Sequence, residues 1–365
     1  WGASGFTGRL VAEYLHQQYA SDTSLRWAMA GRNREKLEAV RAQVADDNIP
    51  IVIADSNDQQ SLDAMAAQTA VVCTTVGPYA KYGSKLVAAC VANKTDYCDL
   101  AGEVQWIRKM IDRHHQKAKG NGTRIVHCCG FDSIPSDMGV FFFQQALKEK
   151  HGAFAKRIKF RLKAASGGFS GGTIASLNNV LTEAEADKSI YKVLGNPYSL
   201  APEGERDGVP QLNLQGLQFD EAAQSWISPF VMAAINSKVV LRSHALSGYP
   251  YGKDFCYDEA TLTGDGLGGR VKSTLMAGGM GLMVKAKPGT LLGNVMKRFM
   301  PKPGEGPSKE KREAGFFYVL FYGVLPDGTL HEAKVKGDRD PGYGSTSKML
   351  GEAAVCLAKD KAMTP

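Results

Sequence analysis

The sequence predicts an α/β protein: a doubly wound parallel sheet, followed by a second domain of mixed α+β character. Three observations carry this. The chain opens on glycines at Gly2, Gly5 and Gly8, and these run straight into helical spacing. Short apolar strands then alternate with amphipathic helices as far as residue 150. Beyond that point longer one-face-exposed strands and a polar Pro/Gly-rich stretch take over.

Within the first half, Leu10, Val11, Tyr14 and Leu15 recur on one helical face. "LRWAMAGR" (Leu25–Arg32) reads as a buried strand, and Asn33 as the N-cap of the helix that follows. "PIVIAD" and "AVVCTT" are strands flanking a helix at Gln59–Gln68. Ser84–Asn93 is a helix, "DYCDLAG" a strand and its exit, and Val104–Lys119 a long helix. "TRIVHCC" is the next strand, and Ser136–Glu149 the helix after it. Such alternation calls for a parallel sheet covered on both faces, with right-handed crossovers. A doubly wound sheet needs one more strand before Gly2, and Trp1 reads as its last residue.

In the second half "RIKFRLKAA" alternates as a strand exposed on one face. "GGFSGGT" is a glycine-rich loop entering a helix, "SKVVLRSHAL" and "GFFYVLFYGVL" are strands, and Ser345–Asp360 is a C-terminal helix. Gly289–Met300 is a short amphipathic segment and Pro301–Gly315 a solvated loop. Leu275, Met276, Met280, Leu282 and Met283 line an acyl groove, dock on a membrane surface, or pack a core, the last being the expectation. The expected division is 1–150 for the dinucleotide-binding domain, 151–340 for substrate binding or dimer formation, and 341–365 for a helix returning to the first domain.

The glycine turn running into a helix is the geometry of a Rossmann-type pyrophosphate site. Gly2 makes the tight turn, Gly5 clears the approach of phosphate, and Gly8 lets helix and sheet pack. An NAD site places an acid about 20 residues further on. Here the second strand ends Gly31, Arg32, Asn33. Arg32 offers a planar fork for a 2′-phosphate, so NADP(H) is the expected cofactor. Asp55 either contacts the adenine side or caps a helix. Thr75, Val76, Gly77, Pro78 and Tyr79 end the fourth strand and should lie along the cofactor toward the nicotinamide. Gly130, Asp132 and Ser133 emerge at the same edge after the sixth strand. Tyr79 is a candidate oxyanion donor or a loop-packing residue, Asp132 a proton relay or a cap. His127 is expected in the core, and Glu103 is an acid with no assigned task.

Composition narrows the classes. The 365 residues are 44% hydrophobic and 22% charged, ordinary for a globular protein. A net charge of +7 with scattered Lys and Arg argues against a dedicated nucleic-acid surface, but suits a phosphate-bearing or acyl-carrier partner. Seven cysteines without a C-x-x-C spacing fit buried thiols in a reducing, cytoplasmic setting. No metal-ligand spacing, Ser/His/Asp arrangement or P-loop lysine is present, and no apolar run approaches the ~20 residues of a membrane span.

"GASGFTG", "AGRNREKL", "TTVGPYAKYG", "YCDLAGE", "CGFDSIPSDMG" and, far downstream, "DPGYGSTSKML" resemble in order and spacing the saccharopine dehydrogenase-like oxidoreductase family. That family includes the mycobacterial trans-acting enoyl reductases. The resemblance implies an N-terminal NADP-binding fold, a second α+β domain, and reduction of a carbon–carbon double bond in a lipid or polyketide chain, in trans on a synthase product. It implies that Gly2, Ser4, Gly5, Phe6, Thr7 and Gly8 form the cofactor loop, with Gly31, Arg32 and Asn33 at the second strand. Gly77, Pro78 and Tyr79 match the nicotinamide-side loop. Tyr79 or Ser133 would then stabilise the growing oxyanion. The family has a full first strand and continues past "KAMTP", so both ends are expected to extend. Expected partners are a small-molecule or lipid-like substrate, a synthase or membrane surface, and a second copy of the chain. Saccharopine-type amino-acid dehydrogenation and a non-catalytic NADP-binding role at lipid surfaces are the rival readings.

Overall fold

The computed structural model describes residues 1–167, 171–212, 214, 216–285 and 306–364. The first half runs α1 (Phe6–Tyr19), β1 (Met29–Gly31), α2 (Arg34–Val44), β2 (Ile51–Ile53), α3 (Gln59–Ala66) and β3 (Val71–Cys73). It continues α4 (Tyr79–Tyr82), α5 (Ser84–Asn93), β4 (Asp96–Cys98), α6 (Val104–Asn121), β5 (Ile125–Val126) and α7 (Ile134–His151).

β1 pairs with β2, and β3 with β4 and β4 with β5, all parallel. Trp1–Ala3 fill the gap between the two groups. The Gly2 and Ala3 amides donate to the Ala30 carbonyl (2.9 and 3.2 Å), and the Thr75 amide donates to the Trp1 carbonyl (3.0 Å). The Trp1 amine donates to the Cys73 carbonyl at 2.6 Å. The resulting order, β2-β1-(Trp1–Ala3)-β3-β4-β5, is the doubly wound Rossmann order, with its switch point between Trp1 and β3. Asn33 caps α2 by accepting the Lys36 amide at 2.9 Å, as its residue type predicts.

The second half holds β6 (Arg157–Ser166), α8 (Gly171–Ala186), α9 (Ser189–Gly195), β7 (Gln218–Asp220), β8 (Ser225–Pro229) and α10 (Ala233–Leu246). It then holds β9 (Cys256–Gly264), α11 (Gly266–Lys285), α12 (Lys309–Glu313), β10 (Phe316–Val324), β11 (Leu330–Gly337) and α13 (Thr346–Lys359). Its six-stranded sheet has the order β11-β10-β6-β9-β8-β7, antiparallel except for β6 beside β9. Ile158, Phe160 and Leu162 of β6 face the core, and Arg157, Lys159 and Arg161 face the other way. That second face is not wholly exposed. Arg161 is buried between Asp220 (Nε to Oδ2, 2.7 Å) and Asp258 (Nη2 to Oδ1, 2.7 Å), which compensate its charge.

"SKVVLRSHAL" is helical, within α10, and not a strand. Its β-branched pair favours a strand locally, but as a helix it buries Ile235, Val240 and Leu241 in the core on more than one side, and that burial outweighs propensity. The core is continuous across both halves. Val87 and Trp106 belong to the same cluster as Phe160, Leu241 and Phe321. α7 joins them, with the Phe321 ring so close to Gly139 that a Cβ there would overlap it. α13 lies on α1, where Leu350, Val355 and Leu357 pack with Val11, Leu15 and Cys98. The expected core packing around Leu275 is not what forms: Leu275 and Leu282 are exposed. The Met283 side chain, the segment 289–300 and part of each flanking glycine-rich or solvated loop (168–170, 301–305) lie outside the described residues.

Candidate cofactor site

The glycine turn is built by close backbone packing. Gly2 has φ +89°, and a Cβ on it would stand 2.6 Å from Val76 Cγ2 and 3.0 Å from Thr75 Oγ1. A Cβ on Gly8 would overlap the Gly2 carbonyl oxygen and lie 2.8 Å from Ala3 Cα. Gly5 is exposed, and a Cβ there would meet only the Gly2 oxygen, at 3.3 Å. No side chain caps α1, and its first turn carries no acid. Its amides and positive dipole end are therefore available to an anion, with Ser4 and Thr7 half-exposed beside them. Phe6 is engaged elsewhere: its ring meets Tyr343 edge-on at 4.8 Å, with the Arg9 and Arg312 guanidiniums each 5.6 Å from its centroid.

At the end of β1, Gly31 is buried against Leu37. Arg32 is exposed and makes no ion pair or hydrogen bond among the described residues. The Asn33 side-chain oxygen is taken up by the α2 cap. Asp55 accepts the Asn57 amide at 2.8 Å and closes a turn; the cap of α3 is Asp58, which accepts the Gln60 and Ser61 amides.

The Thr75–Tyr79 loop meets the glycine turn directly, since the Thr75 hydroxyl donates to the Gly2 carbonyl at 3.3 Å. Val76, Gly77 and Pro78 lead into α4, whose N-terminus is held by Glu103. One carboxylate oxygen of Glu103 accepts the Tyr79 amide (2.7 Å) and the Ser176 hydroxyl (3.0 Å), and the other accepts the Ala80 amide (3.0 Å). Burial raises the Glu103 pKa, and these three donors oppose the rise. The acid left unassigned by the sequence thus fixes the end of the Thr75–Tyr79 loop. Its partners lie 23, 24 and 73 residues away, and no local pattern signals them.

Tyr79 is not an exposed donor. Its hydroxyl donates to the Thr74 carbonyl (3.3 Å) and accepts the Leu100 amide (3.1 Å), and its ring packs on Trp106. Ser133 is likewise committed: it is buried and donates to Asn236 Oδ1 at 3.1 Å. Gly130 is pressed between Leu100 and Thr346. His127 is a core histidine held at 2.7 Å by Asp99, which also accepts the Tyr97 hydroxyl and the Ala101 and Cys128 amides. Asp132 is half-buried and has no partner among the described residues, and burial pushes its pKa up to about 6.

The distant "DPGYG" segment packs against the start of α1. Asp340 accepts the Tyr343 and Gly344 amides, both at 2.9 Å. The turn so formed sets Tyr343 on Phe6 and brings the Thr346 hydroxyl to the Phe131 amide at 3.0 Å.

Residues 1–126 match the family described as saccharopine dehydrogenase NADP binding domain. A Mycobacterium tuberculosis relative is 39% identical over 99% of this chain and 88% of its own length. The trans-acting enoyl reductases of Mycobacterium ulcerans and Mycobacterium leprae are 36% and 34% identical, each over 99% of this chain and 88% of theirs. The chain belongs to the saccharopine dehydrogenase-like oxidoreductase family. The saccharopine dehydrogenase (L-Glu forming) of Saccharomyces cerevisiae superposes with a TM-score of 0.48 at 12% identity, covering 95% of this chain and 89% of that one.

As a member of that family the protein is a nicotinamide-dependent oxidoreductase. One further residue stands out in the second half. Lys238 lies on α10, two positions from Asn236 and so on the other side of the helix from the residue that receives the Ser133 hydrogen bond. Its side chain is 6% exposed, without a hydrogen bond or ion pair among the described residues. Burial lowers its pKa to about 8. Helical spacing from Ile235 and Leu241, three residues to either side, puts it on a buried face of α10.

Proposed function

We propose that this oxidoreductase uses NADPH to reduce the carbon–carbon double bond of an activated enoyl group on a lipid or polyketide chain delivered by a synthase. The observation that carries this reading is the 33–39% identity, over 99% of the chain, with relatives of which several are named trans-acting enoyl reductase. Residues 1–150 would hold the cofactor, residues 151–340 the substrate, and residues 341–365 would return to the first unit.

The residues present suit a dinucleotide. The uncapped α1 terminus would receive the pyrophosphate, and Gly2 and Gly8 would hold the turn beneath it. Arg32, exposed and unpartnered among the described residues, would take a 2′-phosphate. When bound, the reduced nicotinamide supplies a hydride to the β-carbon of the enoyl group. The chain must then stabilise charge on the thioester oxygen and deliver a proton to the α-carbon. With Tyr79 and Ser133 committed to internal hydrogen bonds, we assign the proton to Asp132, which follows β5 and has no internal partner among the described residues. Burial pushes its pKa up to about 6, within reach of proton transfer near neutral pH.

The test is NADPH oxidation with 2-enoyl thioesters, with product analysis for the saturated thioester. Turnover is expected with NADPH. Tight NADPH binding without turnover on any enoyl thioester would sink the reading, and turnover on glutamate-derived imines instead would replace it with amino-acid dehydrogenation.

A further inference from the structure

We propose that α11 docks this protein onto an anionic lipid bilayer, lying flat in the headgroup layer. Among the described residues the helix is held to the sheet by one side. Ser273 is fully buried and donates to the Ile227 carbonyl at 2.7 Å. Gly269 lies so close to Gly264 that a Cβ there would overlap the Gly264 carbonyl. On the opposite side runs an apolar crest at helical spacing. Leu267, Val271, Leu275 and Leu282 are 79, 58, 70 and 56% exposed.

A soluble helix presents polar residues where this one presents leucine. The charges sit at its shoulders, with Arg270 and Lys272, both exposed, flanking the crest on its two sides. No acidic residue occurs between Asp265 and Glu305. An apolar crest with cationic shoulders is the form of a helix that inserts shallowly and draws phosphate headgroups to its flanks. The same charges weigh against a second copy as occupant. Two α11 helices packed crest to crest would bring arginine and lysine together, with no acid on either helix. No helix among the described residues is long and apolar enough to cross a membrane, so the contact is interfacial.

The experiment is co-sedimentation of the intact chain with phosphatidylcholine vesicles, with and without about one-third phosphatidylglycerol. Binding is expected to the anionic vesicles, weakened by added salt. The triple variant Leu267→Ser, Val271→Ser, Leu275→Ser should lose roughly tenfold or more of that affinity. Arg270→Gln with Lys272→Gln should lose roughly tenfold on anionic vesicles and nothing on neutral ones. Unchanged nicotinamide-cofactor affinity and melting temperature establish that each variant is folded. Absence of wild-type binding to either vesicle, or a crest variant that binds as well as wild type, overturns the proposal. So does a wild-type dimer that the crest variant dissolves, which would assign the surface to a second copy.

Discussion

Two strand-to-helix turns in this molecule share one backbone solution. Gly2, at φ +89°, precedes α1, and Gly264, at φ +105°, precedes α11. In each, a glycine early in the helix, Gly8 or Gly269, lies too close to the first glycine's carbonyl for any Cβ. Their surroundings differ. The first turn faces the Thr75–Val76 loop across the switch point of a parallel sheet and has no acid near it. The second follows β9 in a largely antiparallel sheet and carries Asp265 at the helix entrance. A carboxylate there repels a pyrophosphate. Glycine spacing therefore encodes a tight turn under a helix. The opposing loop and the local charge decide whether that turn can bind.

The sharpest way to break this comparison is to place a methyl group in each turn. Gly8→Ala and Gly269→Ala both push a Cβ into backbone that cannot move aside, so each should destabilise its half by on the order of 3 kcal/mol. Only Gly8→Ala should abolish NADPH binding, read by fluorescence titration at a temperature where both variants remain folded. A folded Gly269→Ala protein that no longer binds NADPH would show the two turns to be coupled.

A second variant asks what a buried charge costs the α+β half. Burial lowers the Lys238 pKa to about 8 from the ordinary lysine value of 10.5. A depressed lysine costs stability fully below about pH 8, and the cost fades as pH rises toward 10.5. Lys238→Met should therefore raise the melting temperature at pH 7, by an amount worth on the order of 2–3 kcal/mol, and leave it unchanged near pH 10.5. The same variant should keep its kcat and its NADPH affinity, because Lys238 lies on the side of α10 away from Ser133. A loss of kcat at unchanged NADPH affinity would instead bring Lys238 to the reacting end of the site.

These contrasts also mark what the sequence could convey. The alternation of the first half, the Asn33 cap, the glycine turn and the core position of His127 are local patterns, and each is legible within a few residues. The tasks of Glu103, Ser133 and Asp340 depend on partners brought together only by the fold. Glu103 reaches α4 and Ser176, and Ser133 reaches Asn236 across 103 residues. α10 runs against its local propensity, since the Val239–Val240 pair favours a strand until tertiary burial is counted. Glu103→Ala tests the least legible of these roles. It leaves the Tyr79 and Ala80 amides without their acceptor and should cost about 1–3 kcal/mol. Its effect should appear as a raised KM for NADPH as the loop loosens, whereas an unchanged KM would confine Glu103 to stability.

The smallest expected effect concerns Arg32, where binding chemistry separates from the turn itself. The turn and the uncapped α1 end serve any dinucleotide, because every such cofactor carries a pyrophosphate. Arg32 adds only what a 2′-phosphate can use. Hydrogen bonds to a charged group contribute about 1.5–3 kcal/mol, so Arg32→Ala should weaken NADPH by roughly tenfold or more. NADH affinity should hold, and so should the melting temperature, because Arg32 is exposed and supports no neighbour among the described residues. Equal losses for both cofactors would mean that Arg32 shapes the end of β1 and does not read the phosphate. The choice between NADPH and NADH would then have to come from another residue at that strand end.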